Sequence, residues 1–381
     1  MSTHILSSTA AAWSVGLALL LFTAPPVAAQ APLLEIAVDN DVEVFQVDDL
    51  GGLVAKGAPT PSDAPATGQG TRLMWWPMKA ALRAGRIDGD QWDPDNVGVG
   101  SVAAGENTIA SGDYSLVFGL GSRAEDELSL AGGQTAVASG QASVALGYQT
   151  QATGNGSVAM GVNTVAGHDG AIALGFRTEA TSAWSHASGF ETTASGAGAT
   201  AAGIHTIAAG QGSVALGTAI TAGENGSFAF GDGSESFQPD VDENSFVVRA
   251  FGGVDLNTGA GVGCNLPGGQ GAWVCTSSRL AKEGFTSVDG ESVLARLAGI
   301  EIQQWRYRNT GVLHLGPTAE DFRAAFGLGA DSTGIATVDA DGVALRAIQA
   351  LERRTAALQE QNGELRRRLE ALERRSGKGE R

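Results

Sequence analysis

Ser143-Val-Ala-Leu-Gly147, Ser157-Val-Ala-Met-Gly161 and Ser213-Val-Ala-Leu-Gly217 are near-copies of one pentapeptide, spaced by multiples of 14 residues. Outward from them, glycine returns without a slip at Gly105, Gly119, Gly133, Gly147, Gly161, Gly175, Gly189, Gly203, Gly217 and Gly231. Four residues before each marker stands a small residue: Ser101, Ser115, Ser129, Ser143, Ser157, Ala171, Ser185, Ala199, Ser213 or Ser227. Ala takes the middle position in nine of the ten copies, with Val117 the exception. Seven residues after the marker a second small residue recurs, as at Gly112, Gly140, Gly154, Gly196 and Gly210. A fixed period decides the architecture before local propensity is consulted.

Each 14-residue unit reads as two short strands and two turns, with the marker glycines as the repeat turns. Strand alternation in Ser-Val-Ala-Leu-Gly sends Val and Leu to one face and Ser, Ala and Gly to the other. On this reading the apolar pair fills a narrow core, while the small face lets another backbone approach closely. One unit cannot bury its own face, so the units stack. At ~4.8 Å per strand layer, ten units make a rod of roughly 45–50 Å. So thin an interior is expected to be completed by oligomerisation.

Copies 185–189 (Ser-His-Ala-Ser-Gly) and 199–203 (Ala-Thr-Ala-Ala-Gly) break the apolar pattern and predict looser packing. His186 falls on a nominal core position and reads as a buried, hydrogen-bonded residue. His168 and His205 do not share its phase, so no ladder of metal ligands is expected, and no cofactor. A hexapeptide acyltransferase needs a period of six, and calcium-binding nonapeptides need Gly-Gly-x-Gly-x-Asp. Neither fits. Strings such as Gly154–Gly156 follow no strand-to-helix pattern, which excludes a dinucleotide loop.

The Ser-Val-Ala-Leu-Gly units at this period resemble the head repeats of YadA-like trimeric adhesins, from Asn96 to about Gly233. The resemblance implies a mainly β fold, a left-handed parallel β-roll of residues 96–233 assembled as a homotrimer.

Composition agrees with a folded, exported fibre. Of 381 residues, 55 are Gly and only 11 are Pro, and no Gly-X-Y period exists, so collagen is excluded. A hydrophobic fraction of 43% excludes a disordered polyelectrolyte. The formal charge of −17 makes nucleic acid and anionic membranes poor partners. Between Ile87 and Val248 there are 18 Asp or Glu against Arg123 and Arg177 alone, so that span carries −16 of the total.

Residues 1–29 read as a secretory signal: an apolar stretch from Ala10 to Ala24, then Pro25-Pro26-Val27-Ala28-Ala29 with small residues for cleavage. Localisation is therefore expected to be periplasmic, cell-surface or extracellular, with no membrane span once the signal is removed. Export makes Cys264 and Cys275 a candidate disulfide across the turn-rich Asn265–Gly271. The rival two-Cys metal site lacks any nearby His. Residues 30–95 read as a β-rich cap for the open end of the roll, with Trp75, Trp76 and Trp92 covering its first layer. Glycan stacking is the alternative role for those rings.

Beyond a β neck at 234–276 the composition changes. Three features stand out: Ser277 with Lys282 five positions on, His314-Leu-Gly316-Pro317-Thr-Ala-Glu-Asp321-Phe322, and an Asp-rich entry, Asp339 to Val343, into a terminal helix. Residues 277–342 thereby resemble the intramolecular chaperone at the C-terminus of phage endosialidases and tail fibres. That resemblance implies a small α/β module that trimerises the chain and cuts it between Thr276 and Ser277. Ser277 would be the nucleophile and Lys282 the base that activates it. The family usually has Asp after the Ser; here Ser278 stands there.

Over 343–375, Ile348, Thr355, Asn362 and Leu369 take one core position and Leu351, Leu358, Leu365 and Leu372 the other. The alternating 3–4 spacing predicts a coiled coil. The whole reads as an exported homotrimeric adhesin-like fibre with a chaperone that self-cleaves. A tail fibre with the same chaperone and a structural fibre with an inactive one are the alternatives. Between Gln30 and Gly233 no paired carboxylates, triad or metal set gathers, so activity on external substrates is not expected.

Overall fold

Each 14-residue unit folds as a five-residue strand, a corner, a two-residue strand and a second corner, as in Val144–Tyr148, Gln151–Ala152 and then Val158–Val162. The computed structural model describes residues 34–38, 42–47, 53–55, 64–237, 242–260 and 262–376. The signal read over 1–29 lies outside them. Successive long strands pair in parallel at a shift of one unit: Val144 lies on Val158, Ala145 on Ala159, Leu146 on Met160 and Gly147 on Gly161. Short strands stack likewise, Ala152 on Ala166. The result is a mainly β chain whose parallel solenoid makes ten turns, from Val102–Glu106 to Phe228–Phe237.

The structure reverses the expected faces. The interior is a column of alanines, Ala103, Ala131, Ala145, Ala159, Ala173, Ala187, Ala201, Ala215 and Ala229, with Val117, and a second Ala column from the short strands. Each is at most 1% exposed, and the small Ser and Thr of each turn are buried beside them. Val144 and Leu146 lie half-buried on the outside, and Met160 is exposed. One turn holds only two short strands, so the facing backbones leave room for little beyond a methyl group, and Val117 is the largest side chain this column admits. Parallel stacking then leaves the branched residues outside.

The marker glycines are also not in turns. Gly147 is the fourth residue of its strand, with φ +134, and a Cβ there would run into Gly161 O. Close approach of the next turn is what excludes a side chain. Packing at the two polar copies is no looser inside: Ala187 and Ala201 are fully buried, and His186–Phe190 keeps register with Thr200–Ile204. His186 itself is half-buried on the outer face, not in the core, and its Nε2 has no hydrogen-bond partner.

The first turn is closed by a charge. Gly70–Trp76 pairs antiparallel with Ala81–Ile87, which pairs in parallel with Val102–Glu106 and sets Arg83 opposite Ala103. Arg83 is fully buried at the head of the alanine column. Nη1 donates to Leu82 O (2.9 Å) and Ser101 O (3.0 Å), and Nη2 to Ser101 Oγ (2.9 Å) and Ala110 O (3.0 Å). Desolvation pulls its pKa down to about 10. Trp92 is fully buried and donates Nε1–H to Thr108 O at 3.0 Å; Trp76 is buried too, under Lys79. Trp75 is exposed, so it alone of the three presents a ring to solvent. Leu34–Val38, Val42–Val47 and Leu53–Ala55 form a separate antiparallel sheet.

After the roll, Phe246–Arg249 pairs in parallel with Phe228–Phe237. Gly253–Gly259, Val262–Pro267 and Val274–Cys275 then form an antiparallel sheet in which Cys264 lies opposite Cys275 and is disulfide-bonded to it.

The chain divides into two compact units, one to Cys275 and one from Thr276. The second holds the three helices found among the described residues: α1 (Gly290–Ala298), α2 (Ala319–Phe326) and α3 (Thr337–Ser376). Asp289 caps α1 by accepting from Ser292 N at 2.9 Å. The small core is Val293, Phe322, Val343 and Ala347, flanked by Leu294, Leu297, Phe326 and Ile335. Arg346 ties α3 to the segment before α1 by donating to Val288 O at 2.8 Å, and Arg354 pairs with Glu291. Past Ala350 the apolar residues of the helix are left uncovered: Leu351, Leu358, Leu365, Leu369 and Leu372 are all exposed. Among the described residues no helix is long and apolar enough to cross a membrane.

Candidate self-processing site

The second unit opens with the Ser–Lys pair, and a single turn of 3-10 helix creates it. Ser278 is the N-cap of Arg279–Ala281: its Oγ accepts from Leu280 N at 3.2 Å, and Lys282 N donates back to Arg279 O at 3.3 Å. This turn folds the chain over so that Lys282 Nζ donates to Ser277 Oγ at 2.7 Å. Ser and Asp are both strong N-caps. The departure from the family pattern at Ser278 therefore preserves the local geometry that brings nucleophile and amine together.

The pair is open to solvent in the single chain, and two large apolar residues near it in sequence are exposed as well. Leu280 is 98% exposed, Phe285 is exposed, and the Arg279 guanidinium lies 4.9 Å from the Phe285 ring. A lysine acts as a base only where burial or a neighbouring cation favours the neutral amine. Among the described residues, Lys282 itself is exposed.

The other motif residues lie on a hairpin and a helix. His314–Gly316 pairs antiparallel with Gln303–Trp305, which sets His314 opposite Trp305. Their rings stack at 4.8 Å, and Tyr307 meets both edge-on at 5.0 and 5.4 Å. Pro317 ends the strand, and Thr318 caps α2. Thr318 Oγ1 accepts from Asp321 N at 3.2 Å and donates to Asp321 Oδ2 at 2.8 Å. Asp321 is thus a capping residue, and Phe322 is the helix's buried anchor.

Among the described residues, neither His314 nor Asp321 hydrogen-bonds to Ser277 or Lys282. Sequence reading brought Ser277 and Lys282 together correctly in space but missed Ser278, Trp305, Tyr307 and Thr318. Each had a local signal: Ser278 is an N-cap residue type at a turn, Thr318 stands three residues before an acid at a helix start, and Trp305 and Tyr307 stand two apart in an alternating stretch. No group of three or more His, Cys, Asp or Glu is placed to hold a metal among the described residues.

The first unit is thus a parallel solenoid with an alanine interior, and the second a small module of three helices and a hairpin. Residues 97–122, 127–150, 138–164, 152–178 and 187–213 match the two-copy model of the YadA head domain repeat. Residues 277–327 match the model of the chaperone of endosialidase, and that match begins at Ser277. The chain therefore carries YadA head repeats and an endosialidase-type chaperone domain, the composition of an adhesin- or tail-fibre-like protein. No curated protein matches the chain.

Proposed function

We propose that the protein is an exported, homotrimeric adhesin-like fibre whose C-terminal module drives trimerisation and then cuts the chain between Thr276 and Ser277. Its parts would be a signal (1–29), a cap (30–95), the roll (96–233), a neck (234–276), the chaperone (277–342) and a coiled coil (343–375). The observation that carries the reading is apolar surface that one chain leaves uncovered. The outer columns of the roll hold Leu116, Phe118, Met160, Phe190 and Phe230, all exposed, and α3 presents an exposed stripe of leucines. Stripes of this size mark association surfaces, and a 3–4 leucine repeat is satisfied by parallel copies of itself.

Trimerisation would also complete the chemistry. Covering Leu280 and Phe285 with a second copy desolvates Lys282 and favours its neutral form. The Lys282 amine then takes the Ser277 hydroxyl proton as Oγ attacks the Thr276 carbonyl carbon. The Thr276–Ser277 C–N bond breaks, the freed Ser277 amine takes up the proton, and water hydrolyses the resulting ester.

The test is to express the chain without residues 1–29 and measure its products by mass spectrometry and light scattering. The expected result is a trimeric mass and an N-terminal fragment ending at Thr276, abolished in Ser277→Ala and Lys282→Ala. Full-length product alone removes self-processing, and a monomer in solution removes the trimer.

A further inference from the structure

Both corners of the turns are left-handed, one in a mostly non-glycine column from Asn107 to Ala219 and the other in a column dominated by glycine. The second column runs Gly100, Tyr114, Leu128, Ala142, Gly156, Gly170, Trp184, Gly198, Gly212 and Gly226, and every member has φ between 55° and 66°. Six of ten are glycine, the residue that adopts this conformation without strain. Bulky apolar residues there are outliers, yet Tyr114, Leu128 and Trp184 occupy it and are 60%, 55% and 74% exposed. They do little for the fold: the alanine columns beneath are complete at every turn.

The two aromatic rings are seated, not loose. Trp184 lies across Gly170 and Tyr114 across Gly100, each one turn back, and a Cβ on either glycine would collide with the ring. Each ring therefore lies against the glycine of the turn before it while most of the side chain stays exposed to solvent. Identical corner geometry points both in the same direction. They stand five turns apart, about 24 Å at ~4.8 Å per turn.

The charge around them is negative on balance, more so at Tyr114, with nine acids between Asp88 and Glu127, than at Trp184, whose neighbouring turns hold Asp169, Glu179 and Glu191 against Arg177. The span Ile87 to Val248 holds 18 acids and two arginines. Both arginines are already engaged, Arg123 with Glu125 and Arg177 with Glu191. Asp113 and Asp169 immediately precede Tyr114 and Gly170. An exposed indole or phenol ring in a negative field is a site for an ammonium or guanidinium group.

We propose that this corner column is a docking strip for a positively charged, extended polypeptide, with Tyr114 and Trp184 as its two aromatic anchors. A segment in extended conformation spans the distance between them in about seven residues, so basic side chains at that separation engage both rings. The strip needs only the single-chain roll, and it gives an adhesive reading of the protein its partner chemistry.

The test uses the full chain, a deca-lysine peptide as the probe, and deca-glutamate and a neutral oligosaccharide as controls. Deca-lysine is expected to bind, more weakly at 200 than at 50 mM salt. Binding should fall about tenfold or more in Tyr114→Gly/Trp184→Gly and be largely kept in Trp184→Phe. Glycine relieves the left-handed strain while giving up the ring's contact, so Tm is expected to hold within about 2 °C. Light scattering should show an unchanged mass. Equal binding by the double variant overturns the proposal, because charge alone would then account for it. A clear drop in Tm or a change of assembly assigns the rings to structure instead, and preference for the neutral sugar overturns the partner class. None of these outcomes depends on whether the parent protein is a trimer or cleaves itself.

Discussion

Two glycines on neighbouring stretches of one turn allow the packing argument to be tested in graded form. Gly156 has φ +61 and open space where a Cβ would go, whereas Gly161 has φ +128 and a Cβ there would stand 2.0 Å from Gly175 O. Gly156→Ala thus meets only the left-handed penalty, about 1–2 kcal/mol. Gly161→Ala meets a backbone region that L-residues rarely adopt, about 1–3 kcal/mol. It also falls about 1.4 Å short of the 3.4 Å at which ordinary contact begins. The obstacle is a main-chain carbonyl whose strand is held on both sides, so it does not swing away as a side chain would. Overpacking of this kind costs about 1–3 kcal/mol, for a total of about 2–6 kcal/mol. At roughly 2–4 °C per kcal/mol for a unit of this size, thermal melting followed by far-UV circular dichroism should separate the variants. A loss of ~2–8 °C is expected for Gly156→Ala and a larger one, in the range ~4–24 °C, for Gly161→Ala. Equal losses would refute the reasoning, since the two sites would then differ in conformation only and the close approach of turns would carry no cost.

Two further outcomes follow from other parts of the molecule. Ala159→Leu adds three carbons to a fully buried column between Ala145 and Ala173 and should cost about 2–3 kcal/mol or unfold the roll, read from urea midpoints. Met160→Gln, one residue away on the exposed face, should leave the roll folded and weaken only association, read by light scattering. At the end of the roll, Asp232 accepts from Phe251 N and from Ser234 N, which holds its carboxyl down at about 2. A depressed carboxylate brings stability that is present above its ordinary value near 3.8 and is lost as pH falls through 2. NMR titration should place its midpoint near 2, and Asp232→Asn should flatten the acid limb of the stability profile.

Period and spacing carried most of what was legible. Ten glycines in step specified parallel stacking at one turn per unit, and the register Gly147 on Gly161 on Gly175 follows directly. Alternation also separated the two faces of each strand correctly, but hydrophobicity chose the wrong one as the core. That rule presumes an interior wide enough for Val and Leu, and width is a property of how far the chain travels between corners. Ser277 and Lys282 were readable as a pair only through the motif around them; the turn capped by Ser278 that joins them is local and could have been read. The aromatic packing of Trp305, Tyr307 and His314 could not, because His314 reaches the other two through the pairing of separate strands.

By itself the sequence determined the number of turns, their parallel order, the change of character near Thr276 and the leucine stripe of the last helix, all of which are recorded in spacing along one chain. Only the tertiary structure decided that methyl groups fill the roll, that Arg83 closes its first turn, and that Tyr114 and Trp184 lie against glycines while most of each side chain stays exposed to solvent. Those outcomes depend on the distance between backbones that meet across a turn. A periodic sequence states which residues meet there, but not how much room they are left.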